Sequence, residues 1–118
     1  MEALIIVAHG SKMKSSNDEV VAIVDKIKDI KKNEDLNVFH AFLELTEPSL
    51  FIAINNAISK NCKKIKIFPY FLAAGKHVLE DIPCELKKFK KLYPDLEFIL
   101  LPHIGLCSGI ENMIISNS

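Results

Sequence analysis

The stretch IFPYFLAAGKHVLEDIP, residues 67–83, decides the fold because it joins a strand pattern to a helix pattern through a loop of small residues. The segment 65–68 is rich in β-branched and aromatic side chains and predicts a buried strand that ends at Pro69. Beyond the loop, apolar residues recur near the helical period and predict a helix that begins close to His77. The apolar residues of that helix are Val78, Leu79, Ile82, Leu86 and Phe89.

This pattern places His77 at a strand-to-helix junction. In an open α/β sheet, such junctions lie at the edge where the carboxyl ends of the strands meet and where ligands bind. A helix N-terminus disfavours positive charge and therefore favours the neutral, metal-binding form of an imidazole. Gly75 adds backbone freedom just before the histidine. From this stretch alone, a surface histidine beside a helix end is the alternative interpretation.

Length and composition indicate one domain of 118 residues with a proper core. The fifteen basic and fifteen acidic side chains cancel, so nothing indicates general binding to nucleic acid or membranes. All basic residues are lysines, and the usual bidentate arginine clamp for phosphate is therefore absent. Cys62, Cys84 and Cys107 lack paired zinc-site spacing and favour a reduced, cytoplasmic protein. No stretch is long enough to cross a bilayer.

Three more strand patterns accompany the opening stretch. Residues 4–8 form an apolar run typical of a central parallel strand, and His9-Gly10-Ser11 ends it. Ser16 and Glu19 have capping-box spacing and predict the start of the following helix. Residues 38–43 and 96–101 predict the other two strands.

The remaining helices are predicted from caps and apolar spacing. Thr46 is a plausible N-cap, and Pro48 suits the first turn of the helix after the second strand. A last short helix is predicted after Pro102-His103. Its apolar residues would be Leu106, Ile110, Met113 and Ile114.

Strands that alternate with helices predict a four-stranded parallel sheet with helices on both faces, a three-layer, flavodoxin-like α/β fold. The simplest order puts the first and third strands side by side, about 4.8 Å apart. Lys64 and Lys66 alternate with apolar residues in the third strand, so we expect one face of the sheet to be only partly covered.

This topology brings polar side chains from four strand ends to one rim. His9, Glu44, His77 and His103 each follow a different strand. Two histidines and a carboxylate on separate loops suit a first-row divalent metal with open coordination positions. The alternatives are a polar residue that merely ends a strand, for His9, and a carboxylate before a helix, for Glu44. His40 lies within a strand and is expected to be a packed or an edge histidine.

Other kinds of site find little support. The sequence contains neither G-x-G-x-x-G nor G-x-x-x-x-G-K-[ST], so the usual nucleotide-phosphate loops are absent. It has no tryptophan to stack on a flavin and no arginine to assist a phosphohistidine phosphatase. No cysteine has an identifiable catalytic partner.

Three ordered segments resemble a known family. VAHGS at 7–11, AFLELTEPSL at 41–50 and the stretch at 67–83 are similar to the short-form sirohydrochlorin chelatases, small cobaltochelatases with nickel and iron relatives. The resemblance covers most of the chain and implies a chelatase-type fold. It also implies homodimers that form a cleft which longer members build from two fused halves.

The resemblance also implies roles for individual residues. His9 and His77 would bind the metal substrate, which would be Co²⁺, or else Ni²⁺ or Fe²⁺, with no organic cofactor. Glu44 would accept the pyrrolic protons of sirohydrochlorin, in cobalamin or related tetrapyrrole biosynthesis. The chain departs from the family after the last strand, where PHIGLCSG replaces a G-x-H-P-like segment and leaves His103 without an assigned role.

The substrate contacts follow from charge, because sirohydrochlorin carries many carboxylates. Lys12, Lys14 and Lys76 lie near the predicted rim and would attract it, Ser11 would donate a hydrogen bond, and Gly75 would adjoin the bound molecule. Ordinary solubility is the alternative for each lysine. Two other functions stay open at this point: a non-catalytic metal or tetrapyrrole carrier, and a flavodoxin-like regulatory domain in which the histidines are incidental.

Overall fold

The sheet of the computed structural model, which describes residues 1–118, has four parallel strands. They are β1 (Glu2–Ala8), β2 (Leu36–Phe42), β3 (Lys64–Pro69) and β4 (Glu97–Leu100). Their order in the sheet is β2-β1-β3-β4, with parallel pairing throughout. The predicted α/β class and the adjacency of the first and third strands are therefore confirmed.

Helices connect the strands and lie on both faces of the sheet. They are α1 (Lys14–Ile30), α2 (Leu50–Ser59), α3 (Ile82–Leu92) and α4 (Ile110–Ser116). A π-helical turn, His77–Asp81, leads directly into α3, and a 3₁₀ turn, Ile104–Leu106, precedes α4. No helix is both long and apolar enough to pass through a bilayer.

The two faces of the sheet are covered unequally. Helices α2 and α3 pack on one face and form a cluster of 15 buried residues around Ile5, Ile65 and Ile67. On the opposite face, the cluster under α1 has three buried members: Ile6, Val24 and Val38. Lys66 lies on this thinner side and forms an ion pair with Glu2 at 3.3 Å. The predicted partial cover of one face is confirmed.

Two predicted helix starts are wrong. Helix α1 begins at Lys14, so Ser16 and Glu19 lie within its first turns and do not form a capping box. At α2 the cap is Ser49, whose Oγ accepts a hydrogen bond from the Ile52 amide at 3.2 Å. Thr46 and Pro48 both precede the helix, and Pro48 follows a cis peptide bond. In each case a loop conformation, invisible in residue spacing, sets where the helix begins.

The last helix is shorter than predicted and buries none of its residues. Helix α4 starts only after Gly109, which has a φ of +93°, and Leu106 belongs to the separate 3₁₀ turn. None of the helix residues is buried, and Met113, Ile114 and Ile115 are at least half exposed. The three cysteines form no disulfide.

Candidate metal centre

His9 follows the carboxyl end of β1, in a turn that packs closely against the loop after β2. Gly10 has a φ of +96°, and a Cβ at this position would overlap the carbonyl oxygen of Glu44. The Glu44 amide in turn donates to the His9 carbonyl at 3.1 Å. The backbone of the His9 turn therefore lies directly against that of Glu44, which requires glycine at position 10.

Glu44 lies two residues beyond the end of β2, between two histidines. Its Oε1 is 2.6 Å from Nε2 of His9 and 3.7 Å from Nε2 of His77. The adjacent Leu45 has a φ of +72°, so the chain turns sharply at this point. Half of the Glu44 side chain is exposed, which leaves the carboxylate open to a ligand at the rim.

His77 reaches the same rim from the loop after β3. The Tyr70 amide donates to the Val7 carbonyl at 2.7 Å, which ties the start of this loop to β1. Val78, the residue after the histidine, is buried and anchors the π-helical turn. The ring centroids of His77 and His9 are 4.9 Å apart. Two residues 68 positions apart in the chain thus meet because β1 and β3 are neighbours.

One ligand atom from each of His9, Glu44 and His77 lies within 4.8 Å of the other two. First-row metals bind imidazole nitrogen and carboxylate oxygen at about 2.0–2.2 Å. A donor group this compact, with two nitrogens and one oxygen, could hold one divalent ion and leave further positions open. The predicted rim residues are therefore brought together, while their chemical roles stay predictions.

Asp81 is a site residue that the sequence interpretation missed. Its Oδ2 lies 2.6 Å from Nδ1 of His77, on the side of the ring away from Glu44. The signal was available, because residues four apart face the same side of a helix. Topology alone predicts only residues at strand ends, and Asp81 lies on the helical turn that follows.

A cleft of about 230 Å³ opens beside His77 between α2 and α3. Three carboxylates lie on its wall, together with exposed apolar surface from Phe51. Its lining consists of Leu43, Glu44, Ser49, Leu50, Phe51, His77, Asp81 and Glu85. The cleft gives Glu44 and His77 a mixed acidic and apolar approach.

The residues predicted to contact substrate lie around the same rim. Ser11 Oγ accepts from the Met13 amide at 3.0 Å, and its backbone is held by the Asn17 side chain. Lys14 pairs with Asp18 at 2.9 Å, so part of its charge is already balanced. The other three, Lys12, Gly75 and Lys76, are exposed. Their role in substrate binding stays a prediction.

The other two histidines lie outside the donor group. His103 precedes the 3₁₀ turn, and its carbonyl accepts from the Leu106 amide at 2.9 Å. His40 packs edge-on against Phe42, as expected for a histidine within a strand, and its Nδ1 has no hydrogen-bond partner. Burial, assisted by the nearby positive charge of Lys28, lowers the pKa of His40.

Comparison with known proteins gives concordant matches. The sirohydrochlorin ferrochelatase of Priestia megaterium is 30% identical over 116 residues, which cover 98% of this chain and 42% of that protein. The sirohydrochlorin cobaltochelatase of Methanococcus aeolicus is 41% identical over 83 residues, or 70% of this chain and 57% of that protein. The chain thus spans about half the length of the curated relatives it matches.

Solved structures show the same fold. A protein described as a cobalamin (vitamin B12) biosynthesis CbiX protein from Marinobacter aquaeolei VT8 superposes with a TM-score of 0.75 at 25% identity, covering 99% of this chain and 93% of that one. The sirohydrochlorin chelatase SirB of Bacillus subtilis, in complex with cobalt, gives a TM-score of 0.84 at 23% identity, over 98% of this chain and 48% of that one. The family model named CbiX matches residues 3–117. With nearly its whole length covered by that model, the chain belongs to the CbiX family.

Proposed function

We propose that this protein is a sirohydrochlorin chelatase, which inserts a divalent metal into the tetrapyrrole. The observation that carries the proposal is the convergence of two imidazole Nε2 atoms and the Glu44 carboxylate at one open rim. A chelatase must hold a metal ion without saturating it, because the four ring nitrogens of the product have to replace its other ligands. Three protein donors at an exposed edge meet that requirement, whereas a closed four-ligand site would not.

The reaction exchanges two protons for one ion. The metal(II) ion enters the ring, and the two pyrrolic N–H protons leave, so the products are the metallated tetrapyrrole and two protons. His9 and His77 present Nε2 to the ion, and Glu44 stands next to both. A carboxylate beside the cation is the natural acceptor for a departing proton, directly or through water. Because Glu44 is half exposed, it can pass the proton to solvent.

Cobalt is the metal that we propose, with nickel and iron as the other options. Imidazole ligands suit all three ions, and the general affinity order does not determine which one a cell supplies. The support for Co²⁺ is the similarity to the Methanococcus aeolicus cobaltochelatase, 41% identical over 83 residues, and the support for Fe²⁺ is the Priestia megaterium ferrochelatase, 30% identical over 116 residues.

Substrate binding would use charge on one side of the rim and apolar surface on the other. Lys12 and Lys76 are exposed, and as flexible point charges they can meet the peripheral carboxylates of sirohydrochlorin. On the α2 side, Phe51 is 55% exposed at the cleft and offers a flat apolar contact to the ring.

A homodimer is part of the proposal. One copy of the chain matches 48% of the SirB chain with a TM-score of 0.84, so two such folds side by side would be about the size of that longer chain. Large apolar side chains are also left in solvent near the rim loops. They include Leu72, Leu79 and Leu106, each about two-thirds exposed or more. Light scattering on the purified protein would measure the mass, and a stable, fully active monomer would contradict the dimer.

The deciding experiment mixes purified protein with sirohydrochlorin and Co²⁺, Ni²⁺ or Fe²⁺ and follows the absorption spectrum of the ring. We expect turnover well beyond one equivalent with wild type, and rates at the non-enzymatic background with His77→Ala. A spectral shift that stops at one equivalent would instead identify a carrier. His103→Ala is the matched control, since His103 lies outside the donor group, and it should retain wild-type rates.

A further inference from the structure

We propose that Asp81 is a positioning residue that fixes the tautomer and the orientation of His77. The proposal rests on the proposed metal-binding role of His77 and adds the group that prepares that histidine for it. Asp81 Oδ2 is 2.6 Å from Nδ1 of His77, whereas Nε2 has no hydrogen-bond partner and lies 3.7 Å from Glu44. A carboxylate can only accept, so the Nδ1 atom must carry the proton.

That tautomer is the one a metal ligand needs. With the proton on Nδ1, the lone pair of a neutral ring is on Nε2, which faces Glu44 and His9. If the proton were on Nε2, an N–H group would point at the incoming cation. A carboxylate hydrogen-bonded to the far side of a ligating imidazole also orients the ring and raises its basicity.

Nothing else in the structure accounts for the Asp81 carboxylate. Asp81 directly precedes α3, a position where aspartate commonly caps a helix, but its side chain makes no capping hydrogen bond. It forms no ion pair with a lysine, and His77 is the one titratable side chain that it contacts. The Asp81 carboxylate therefore contacts only the imidazole of His77, which lies four residues earlier on the same turn.

The turn holds both residues in a fixed relation. Ile82, immediately after Asp81, is fully buried, and Val78, immediately after His77, is 8% exposed. The Leu79 amide also donates to the Gly75 carbonyl at 3.0 Å. With their neighbours packed into the core, neither residue can drift from the other without disturbing the sheet.

The test reads the tautomer first, in metal-free protein without sirohydrochlorin. Long-range ¹H–¹⁵N NMR on histidine-labelled wild type should show His77 as the Nδ1–H tautomer. Asp81→Ala should lose this single state and give a mixture or the Nε2–H form, and Asp81→Glu should restore it in part. Glu80→Gln is the matched control, because Glu80 is the neighbouring carboxylate without a contact to His77, and its spectrum should equal that of wild type.

The second readout is the affinity for aqueous Co²⁺ alone, measured by calorimetry. We expect Asp81→Ala to weaken binding by about 10–100-fold, the usual cost of removing a group that supports a metal ligand. Thermal melts would confirm that each variant is folded, and Asp81→Asn, whose amide can donate as well as accept, takes the place of Asp81→Ala if the latter is not. An unchanged tautomer or an unchanged affinity in a folded Asp81→Ala variant would overturn the proposal. An equal loss of Co²⁺ affinity in Glu80→Gln would also overturn it, because the effect would then come from removing any nearby negative charge.

The proposed function and the role of Asp81 can fail separately. If wild type never metallates sirohydrochlorin but the NMR and Co²⁺ results are as expected, Asp81 still positions His77 in a metal-binding protein. If metallation is normal and the tautomer does not depend on Asp81, the chelatase proposal stands and this inference is wrong.

Discussion

The two histidines of the proposed metal centre are held in different ways. His9 is held by backbone: its turn is pressed against Glu44, and its Nδ1 lies 3.0 Å from the Gly10 carbonyl. His77 is held by a side chain, the Asp81 carboxylate, on a short helical turn. The first arrangement depends on chain geometry and tolerates no extra atom. The second depends on charge and can be altered by substitution without moving the backbone.

The exposed ends of the two rings differ as well. Nε2 of His9 is already in contact with Glu44 at 2.6 Å, so an incoming ion must share or displace that contact. Nε2 of His77, at 3.7 Å from the same oxygen, is not hydrogen-bonded. We infer that His77 is ready to receive a metal, whereas the pair of His9 and Glu44 must rearrange as the metal binds. Three predictions test this difference and a fourth extends it to His40, in order from the largest effect to the smallest.

Gly10→Ala should break the backbone-held half of the site and destabilise the whole protein. A Cβ would overlap the Glu44 carbonyl oxygen, and the φ of +96° is strained for alanine, so we expect a loss of about 3 kcal/mol or more. Urea unfolding followed by circular dichroism measures the change. The matched control is Gly75→Ala, where a Cβ meets no atom within 4 Å, and its free energy of unfolding should stay close to that of wild type.

His9→Ala and His77→Ala should each abolish tight Co²⁺ binding while leaving the fold intact. Each removes one of three donors at an exposed rim, and we expect a loss above the roughly 100-fold limit seen for supporting residues. Calorimetry with aqueous Co²⁺ gives the affinities, and thermal melts report the fold. Wild-type affinity in either variant would remove that histidine from the metal centre.

The positions of His9 and His77 could be predicted from the sequence, whereas the helix starts and the contact of Asp81 could not. The strand ends are legible because apolar runs stop at His9 and before the small-residue loop, and parallel topology then brings the ends of β1 and β3 together. The helix starts predicted near Ser16 and Thr46 are wrong because both residues resemble N-caps, whereas the conformation of the preceding loop decides which residue caps the helix. The Asp81 contact depends on which side chain a short turn presents to the ring, and spacing alone only suggests it.

Glu44→Gln should separate metal binding from proton removal. The amide keeps the size of the side chain and one oxygen donor but is a very poor base, so we expect metallation to slow by about 100-fold or more, in line with general-base catalysis. Co²⁺ binding should weaken less than in His77→Ala, because both imidazoles remain. Single-turnover absorbance with preloaded Co²⁺ measures the slower step. An unchanged rate would show that another group or solvent takes the protons.

His40 provides a third way of holding a histidine, without any acceptor, and it should produce the smallest effect. Burial, then Lys28, lowers its pKa, with Asp25 opposing, so the folded protein resists protonation at this ring while the unfolded chain does not. Stability from this residue is complete above the unfolded pKa of about 6.5 and declines as the pH falls below it, since the unfolded chain then binds more protons. Removing the ring should therefore make stability less dependent on pH.

Between about pH 7.5 and about pH 5.5, the free energy of unfolding of His40→Gln, measured in urea, should decline less than that of wild type. This difference should be smaller than the effects predicted for the other variants. His103→Gln is the control and should follow the wild-type curve, because His103 lies in a loop outside the sheet. If His40→Gln declines as steeply as wild type, the pH dependence does not arise from His40, which would contradict this prediction. The result therefore shows whether burial and the nearby charge of Lys28, without a hydrogen-bond partner for Nδ1, keep His40 neutral in the folded protein.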